Sequence, residues 1–230
     1  MDSGLESRLA DVDARIADAA RAVGRDPGEI TRIVVTKFHP AALVDALYRL
    51  GVRDVGENRQ QELSAKTAEL SALADLNWHF IGQAQTNKAR AVRGAASVVH
   101  TVDRERLADA LEAAATPVDP VLDVLVQVNL TEDPARGGVA PERIESLAEH
   151  IVDGCGTLRL RGIMAVAPLE EEPARAFERL RGYVERLRTV VPDAGWISAG
   201  MTGDFVEAIT AGATHLRIGS AITGPRPTHG

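Results

Sequence analysis

The chain has 230 residues, 45% of them hydrophobic and 26% charged, enough for one large α/β domain with a complete core. With 26 basic against 33 acidic side chains the net charge is -7, which argues against a dedicated nucleic-acid binder; the single cysteine, Cys155, excludes an intrachain disulfide and a cysteine-rich zinc site. No apolar run reaches the length of a membrane span, and the charged N-terminus "MDSGLESRLADVDARIADAA" does not read as a signal peptide, so a cytoplasmic protein with no membrane segment is expected.

Leu5, Leu9, Val12, Ile16 and Ala20 recur at helical spacing, which predicts an amphipathic helix over residues 3–23, ending near Gly24. A strand-then-helix rhythm follows. Strands are expected at 31–37, 53–56, 77–81, 97–101, 122–129, 158–164, 195–199 and 213–218. Helices are expected between them at 40–50, 58–73, 86–93, 103–115, 141–152, 170–190 and 202–211. Gly51 and Gly212 stand where left-handed C-cap residues belong, and Asp103 and Thr202 where N-caps belong. Eight such units without a Pro/Gly/Ser-rich linker fit a single (β/α)8 TIM barrel with an extra N-terminal helix. An open doubly wound sheet is the competing architecture, weakened because no "GxGxxG" or "GxxxxGK[ST]" follows the first strand.

In a barrel, functional side chains come from the C-terminal ends of strands. The first strand, in "VVTKFHP", ends on Lys37. Two readings stand side by side: a lysine whose stem packs on the core with its charge in water, or an amine held at the barrel mouth to form a Schiff base. Asn58 follows the second strand and is either an N-cap or a site residue, while His79 in the third strand is either a hydrogen-bonded core residue or a catalyst. Met164 shares strand parity with Leu158 and Leu160, so inward packing accounts for it. Lys88, Arg90 and Arg93 read as a solvated helix face, and Cys155 as a loop thiol of no special role. After strands seven and eight, Ser198, Gly200, Thr202, Gly203, Gly219, Ser220 and Gly224 gather glycines and hydroxyls, as phosphate-binding barrels do at that place. With Arg217 beside them and Lys37 on strand one, they ask for a phosphorylated aldehyde.

The ordered segments "VVTKFHP", "GVRDVGENRQQEL", "WHFIGQAQTNKA", "VHTVDRERLADAL", "VLVQVNL", "LRGIMAVAP" and "SAGMTGDFVEAITAGATHLRIGSAITGPR" resemble the YggS/PROSC family of pyridoxal phosphate homeostasis proteins, from about Ile33 to Arg226. The resemblance implies an alanine-racemase-like barrel that binds pyridoxal 5′-phosphate (PLP) as an imine on Lys37. It places Asn58, His79 and Met164 around the cofactor, Thr202, Gly219 and Ser220 on its phosphate cradle, and Ser198, Gly200, Met201 and Ile218 among the remaining cofactor-binding residues. Arg217 falls on the arginine facing the pyridine nitrogen. Departures from the family pattern are "QAQTNK" for "HLQSNK", Ala199 in "SAGMT" and Thr223 in "AITG", none of which removes a group the cofactor chemistry needs.

Two functions follow: a monomeric PLP carrier in cofactor homeostasis that serves PLP-dependent apoenzymes, or a PLP-dependent amino-acid racemase of low activity. An arginine at the pyridine nitrogen disfavours protonation of that nitrogen and weakens the ring as an electron sink. Tyr48 and Tyr183, the only tyrosines, lie in predicted helices, so the second acid/base group of a racemase has no candidate. The carrier is therefore the expected function, with no metal. A Schiff-base aldolase is discounted because no Lys/Glu pair is visible at the strand ends.

Overall fold

Each β-branched run finds its partner in the next. The computed structural model describes residues 3–225, so Arg226, the last residue of the resemblance, lies outside the described residues. Eight parallel strands close into a barrel in the order β1-β2-β3-β4-β5-β6-β7-β8, with β1 also paired to β8. They are β1 (Thr31–Val35), β2 (Asp54–Glu57), β3 (Asn77–Phe80), β4 (Val98–Val102), β5 (Leu122–Gln127), β6 (Leu158–Met164), β7 (Trp196–Ser198) and β8 (His215–Ile218). The helices are α1 (Ser3–Ala22), α2 (Ala41–Arg49), α3 (Gln60–Glu69), α4 (Ala89–Arg93), α5 (Glu105–Ala113), α6 (Ile144–Gly154), α7 (Pro173–Val190), α8 (Phe205–Thr210) and α9 (Ser220–Thr223). The expected barrel and N-terminal helix are present; the expected helix over 202–211 starts later, and α9 was not foreseen.

The main core lies between the barrel and its helices. Leu47, Leu63, Leu107, Leu111, Leu147 and Phe177 pack there against Val34, Val55, Val99 and Ile218. Buried Leu5, Leu9, Val12 and Ile16 of α1 belong to the same core, and Arg8 Nε donates to the Ile222 carbonyl at 2.7 Å. The barrel interior differs from the branched-aliphatic filling usual in this architecture. Its apolar part includes Val98, Leu125 and Met164, and the buried polar residues there include His79, His100, Ser198, His215 and Arg217.

The parity reading of β6 is corrected. Leu158 and Leu160 face the helices, whereas Met164 faces the interior with Val98 and Leu125. The cause is a bulge: Leu160 pairs with Val124 but Gly162 with Leu125, so one extra residue reverses the alternation. Gly162 is needed there, because a Cβ would lie 1.8 Å from the Trp196 carbonyl oxygen.

The caps divide. Gly51 and Gly212 take positive φ as expected, at 89° and 99°. Asp103 and Thr202 are not N-caps; Arg104 and Asp204 hold those positions, and Arg59 rather than Asn58 precedes α3. Lys88 and Arg90 keep solvent contact, but Arg93 is buried, its guanidinium donating to the carbonyls of Leu111 and Pro120. Cys155 is buried at the end of α6, and burial, with Glu112 and Asp109 nearby, pushes its thiol up to about 11. Such a thiol is unreactive. Among the described residues no helix is long and apolar enough to cross a membrane.

Candidate functional site

The strand ends assemble the site from opposite ends of the sequence. Val34 pairs with Ile218 across the β1/β8 closure, so the residues that follow, Lys37 on one side and Gly219 and Ser220 on the other, leave the barrel side by side. Lys37 is exposed, two residues beyond β1, with Nζ 5.7 Å from the centre of the Phe38 ring. Gly219 is half-buried and passes 3.6 Å beneath Val35, measured to the Cβ it lacks. Ser220 opens the single turn of α9; Ile222 and Thr223 both donate their N–H to the Gly219 carbonyl, while the amides that precede them have no intrahelical acceptor.

The β7 side is more occupied. Gly200 has φ 91°, and a Cβ there would lie 2.7 Å from that of Ala208, so its glycine is required by loop packing. Met201 is exposed, and its N–H is taken by Asp204 Oδ1 at 2.6 Å. Thr202 is half-buried beside it, and Asn58 is exposed after β2. The Ile218 side chain faces the helices, leaving only its backbone to the mouth. Tyr48 and Tyr183 lie in α2 and α7, and the Tyr48 hydroxyl is spent on Asp75 at 2.5 Å.

Beneath the mouth runs a continuous polar chain. Arg217 is fully buried; its guanidinium donates to Ser198 Oγ at 2.7 Å and to the Ala165 carbonyl at 2.8 Å. Ser198 Oγ meets His100 Nδ1 at 2.9 Å, His100 Nε2 meets His79 Nδ1 at 2.9 Å, and His79 Nε2 meets Asp54 Oδ1 at 3.0 Å. The direction of the hydrogen bonds follows from the chemistry. Arginine only donates, so the Ser198 hydroxyl is free to turn its hydrogen toward His100 Nδ1. Burial holds His100 well below its ordinary pKa, with His79, His215 and Arg217 adding to the effect, so the ring is neutral and has one hydrogen, on Nε2. His79 then accepts at Nδ1 and donates from Nε2 to the Asp54 carboxylate. That carboxyl is lowered overall: burial raises it, but the hydrogen bonds from His79 and Asn77 outweigh burial. His79 thus has both ring nitrogens occupied, which fits the core reading of this residue. Burial also draws the Arg217 guanidinium down to about 10, which leaves it charged at neutral pH.

A pH dependence of stability follows. Burial, chiefly, and then His79 depress His215 to about 3, and His100 shifts in the same direction. In the unfolded chain these rings titrate near 6.5. Between those values the unfolded state binds protons that the folded state refuses, so stability is complete above pH 6.5 and falls as the pH drops below it. The slope is about 1.4 kcal/mol per pH unit for each such ring. Urea midpoints at pH 7.5 and 5.0 check this; equal midpoints would exclude neutral buried histidines.

A Lys/Glu pair does stand at the strand ends, contrary to the sequence expectation. Lys66 reaches out of α3 to put Nζ 2.6 Å from Glu57 Oε1, at the end of β2, and 2.9 Å from the Thr36 carbonyl. Both side chains are buried. The Lys66 ammonium is therefore committed to structure, and the pair does not restore an aldolase.

Residues 10–227 match the family of the alanine racemase N-terminal domain. The chain is 42% identical to the pyridoxal phosphate homeostasis protein of Pseudomonas aeruginosa, over 97% of this chain and 96% of that one. It is 40% identical to the pyridoxal phosphate homeostasis protein of Mycobacterium bovis, over 98% and 94% of the two chains. Among solved structures, PipY of Synechococcus elongatus with PLP bound superposes with a TM-score of 0.83 at 32% identity, over 96% of this chain and all of that one.

Proposed function

The chain belongs to the alanine racemase N-terminal domain family, among the pyridoxal phosphate homeostasis proteins, and from that premise we propose that it binds PLP as a reversible imine on Lys37 and holds and releases it without substantial turnover. The observation that carries the reading is the adjacency of Lys37 to Gly219 and Ser220 across the β1/β8 pairing. The aldehyde and phosphate arms of PLP leave neighbouring ring carbons, so an amine and a set of backbone donors that serve both must also be neighbours. Arg217, on β8 below Gly219, supplies the cation for the ring nitrogen, and Met164 the apolar interior wall.

Bound there, PLP supplies an aldehyde that condenses reversibly with amines, and a ring that withdraws electrons. Lys37 would supply the amine for that condensation, its Nζ forming C=N with the aldehyde carbon as the aldehyde oxygen leaves in water. Ser220 and Gly219 hold the phosphate by backbone N–H groups, with Thr202 and Asn58 at the rim. Met201 has its amide occupied and Asp204 brings a carboxylate, so the β8 side carries most of the phosphate. Ser198 and Gly200 enter through their support of Arg217 and of the β7 loop, Ile218 through its backbone, and His79 through the chain to Arg217.

Arg217 has no acid to share its proton with among its hydrogen-bond partners, Ser198 and the Ala165 carbonyl, and it remains a donor toward the ring nitrogen. That opposes protonation of the ring and keeps it a poor electron sink. No tyrosine stands opposite Lys37 as a second acid/base group. We take the protein to be a cytoplasmic monomer that exchanges PLP with PLP-dependent apoenzymes.

The test is solvent-deuterium exchange at the α-carbon of alanine and serine with PLP-loaded protein, with Lys37→Ala as control. A trace rate is expected, because one proton-transfer group contributes about 10²- to 10⁴-fold. Turnover near one per second, roughly the low end for ordinary enzymes, would replace the carrier by the racemase.

A further inference from the structure

We propose that Glu62, Lys66 and Glu57 are positioning residues that clamp the backbone on both sides of Lys37, so that its amine is presented to an aldehyde in one orientation. The inference rests on Lys37 being the imine-forming amine. On the N-terminal side, the Thr36 carbonyl accepts from Lys66 Nζ at 2.9 Å, and the Thr36 hydroxyl donates to Glu57 Oε1 at 2.6 Å. The Thr36 N–H is held by the Gly56 carbonyl at 3.0 Å. On the C-terminal side, the Phe38 N–H donates to Glu62 Oε2 at 2.8 Å. Lys37 is thus the exposed residue between two peptide units that α3 and β2 hold fixed.

Two features separate this arrangement from ordinary loop packing. Phe38 has φ +70°, the only positive φ at a non-glycine residue among the described residues. For an aromatic residue that conformation is strained, and it persists only where the surroundings impose it. Glu62 accepts from the peptide N–H of the strained residue itself. The second feature is the ion pair. Lys66 and Glu57 are buried, and Glu57 Oε2 has no hydrogen-bond partner, which leaves its carboxyl raised by burial against the pull of Lys66 and Thr36. A buried pair of this kind gains little stability over apolar replacements, so its presence beside Lys37 calls for another role. The same Lys66 Nζ lies 3.9 Å from Glu62 Oε2, so one ammonium ties the two halves of the clamp together.

The consequence is kinetic. Imine formation needs Nζ to approach the aldehyde carbon along one direction before C=N forms and water leaves, and a displacement of about 1 Å in such a group costs up to roughly 10²-fold in rate. A clamp of the backbone changes the covalent step and leaves the phosphate contacts alone.

The experiment compares Glu62→Ala, Glu62→Gln and the paired variant Glu57→Gln/Lys66→Met, which removes both buried charges together and keeps the fold where Lys66→Met alone would strand a carboxylate. Stopped-flow absorbance follows imine formation with PLP, and titration gives the affinity for pyridoxamine 5′-phosphate, which lacks the aldehyde. Glu62→Ala and the paired variant are expected to form the imine about tenfold or more slowly, with pyridoxamine phosphate affinity within about twofold of wild type, and Glu62→Gln, which keeps an acceptor for the Phe38 N–H, is expected to restore most of the rate. Wild-type rates in Glu62→Ala and the paired variant would overturn the clamp. So would a parallel loss of affinity for PLP and pyridoxamine phosphate, which would mark these residues as structural only. Borohydride labelling of the wild-type protein separates the two readings: a label on another lysine overturns the Lys37 assignment and the clamp with it, whereas a label on Lys37 with unchanged variant kinetics overturns the clamp alone.

Discussion

Lys37→Ala is expected to abolish the imine absorbance seen with PLP entirely, with the melting temperature of the ligand-free protein unchanged within error. The side chain is exposed, and substitutions at such positions usually change stability by no more than about 0.5 kcal/mol. The loss is all-or-none because a covalent bond has one nitrogen to form on. Other amines are poorly placed. Lys66 is buried and donates to Glu57 and to the Thr36 carbonyl, and Lys88 sits on a helical turn after β3. Borohydride reduction followed by peptide mapping should label Lys37 in the wild-type protein and nothing in the variant. A band that survives the substitution, or a label on Lys66 or Lys88, sinks the assignment.

Removing the phosphate from the ligand is the second large effect. Pyridoxal is expected to bind far more weakly than PLP, since hydrogen bonds to a charged group contribute about 1.5–3 kcal/mol each. Two such bonds, from the backbone amides that open α9, amount to about 3–6 kcal/mol, or roughly 10²- to 10⁴-fold in affinity. Isothermal titration of Lys37→Ala with both ligands isolates this contribution from the covalent step. Affinities within a factor of a few would mean that Gly219 and Ser220 do not hold the phosphate.

The strands were legible in the sequence from the strand-then-helix rhythm, and all eight appear within a few residues of their expected positions. The end of β1 was read two residues late. Thr36 leaves the ladder because its carbonyl and hydroxyl are taken by Lys66 and Glu57, partners remote in sequence. Lys66 lies in an expected helix, follows Leu63 by one helical turn and shares its buried face. A lysine at an apolar position of an otherwise weakly amphipathic helix was the signal available. His100 carried a similar one, as a lone imidazole in the wholly buried run "VVHTV". The bulge in β6 left no such mark, because alternation before and after it is regular and only the register with β5 shows the extra residue. The proposed cofactor positions, Lys37, Arg217, Gly219 and Ser220, come from the barrel rule and from resemblance together, since nothing local in "RIGS" names a ligand.

The pairing of β1 with β8 has a consequence for synthesis. During translation Lys37 is made long before Ser220, so a nascent chain lacks the proposed PLP site until β8 has emerged from the ribosome. Capture of the cofactor is then a report of completed closure, and shortened chains without β8 should neither bind it nor sequester it. In the proposed complex the ligand bridges the first and last strands of the closed ring and works as a clasp on the seam. Ligand at a hundred times its dissociation constant would add about 2.7 kcal/mol to the stability of the folded state. That energy acts at the one joint whose two sides are joined by the whole length of the chain.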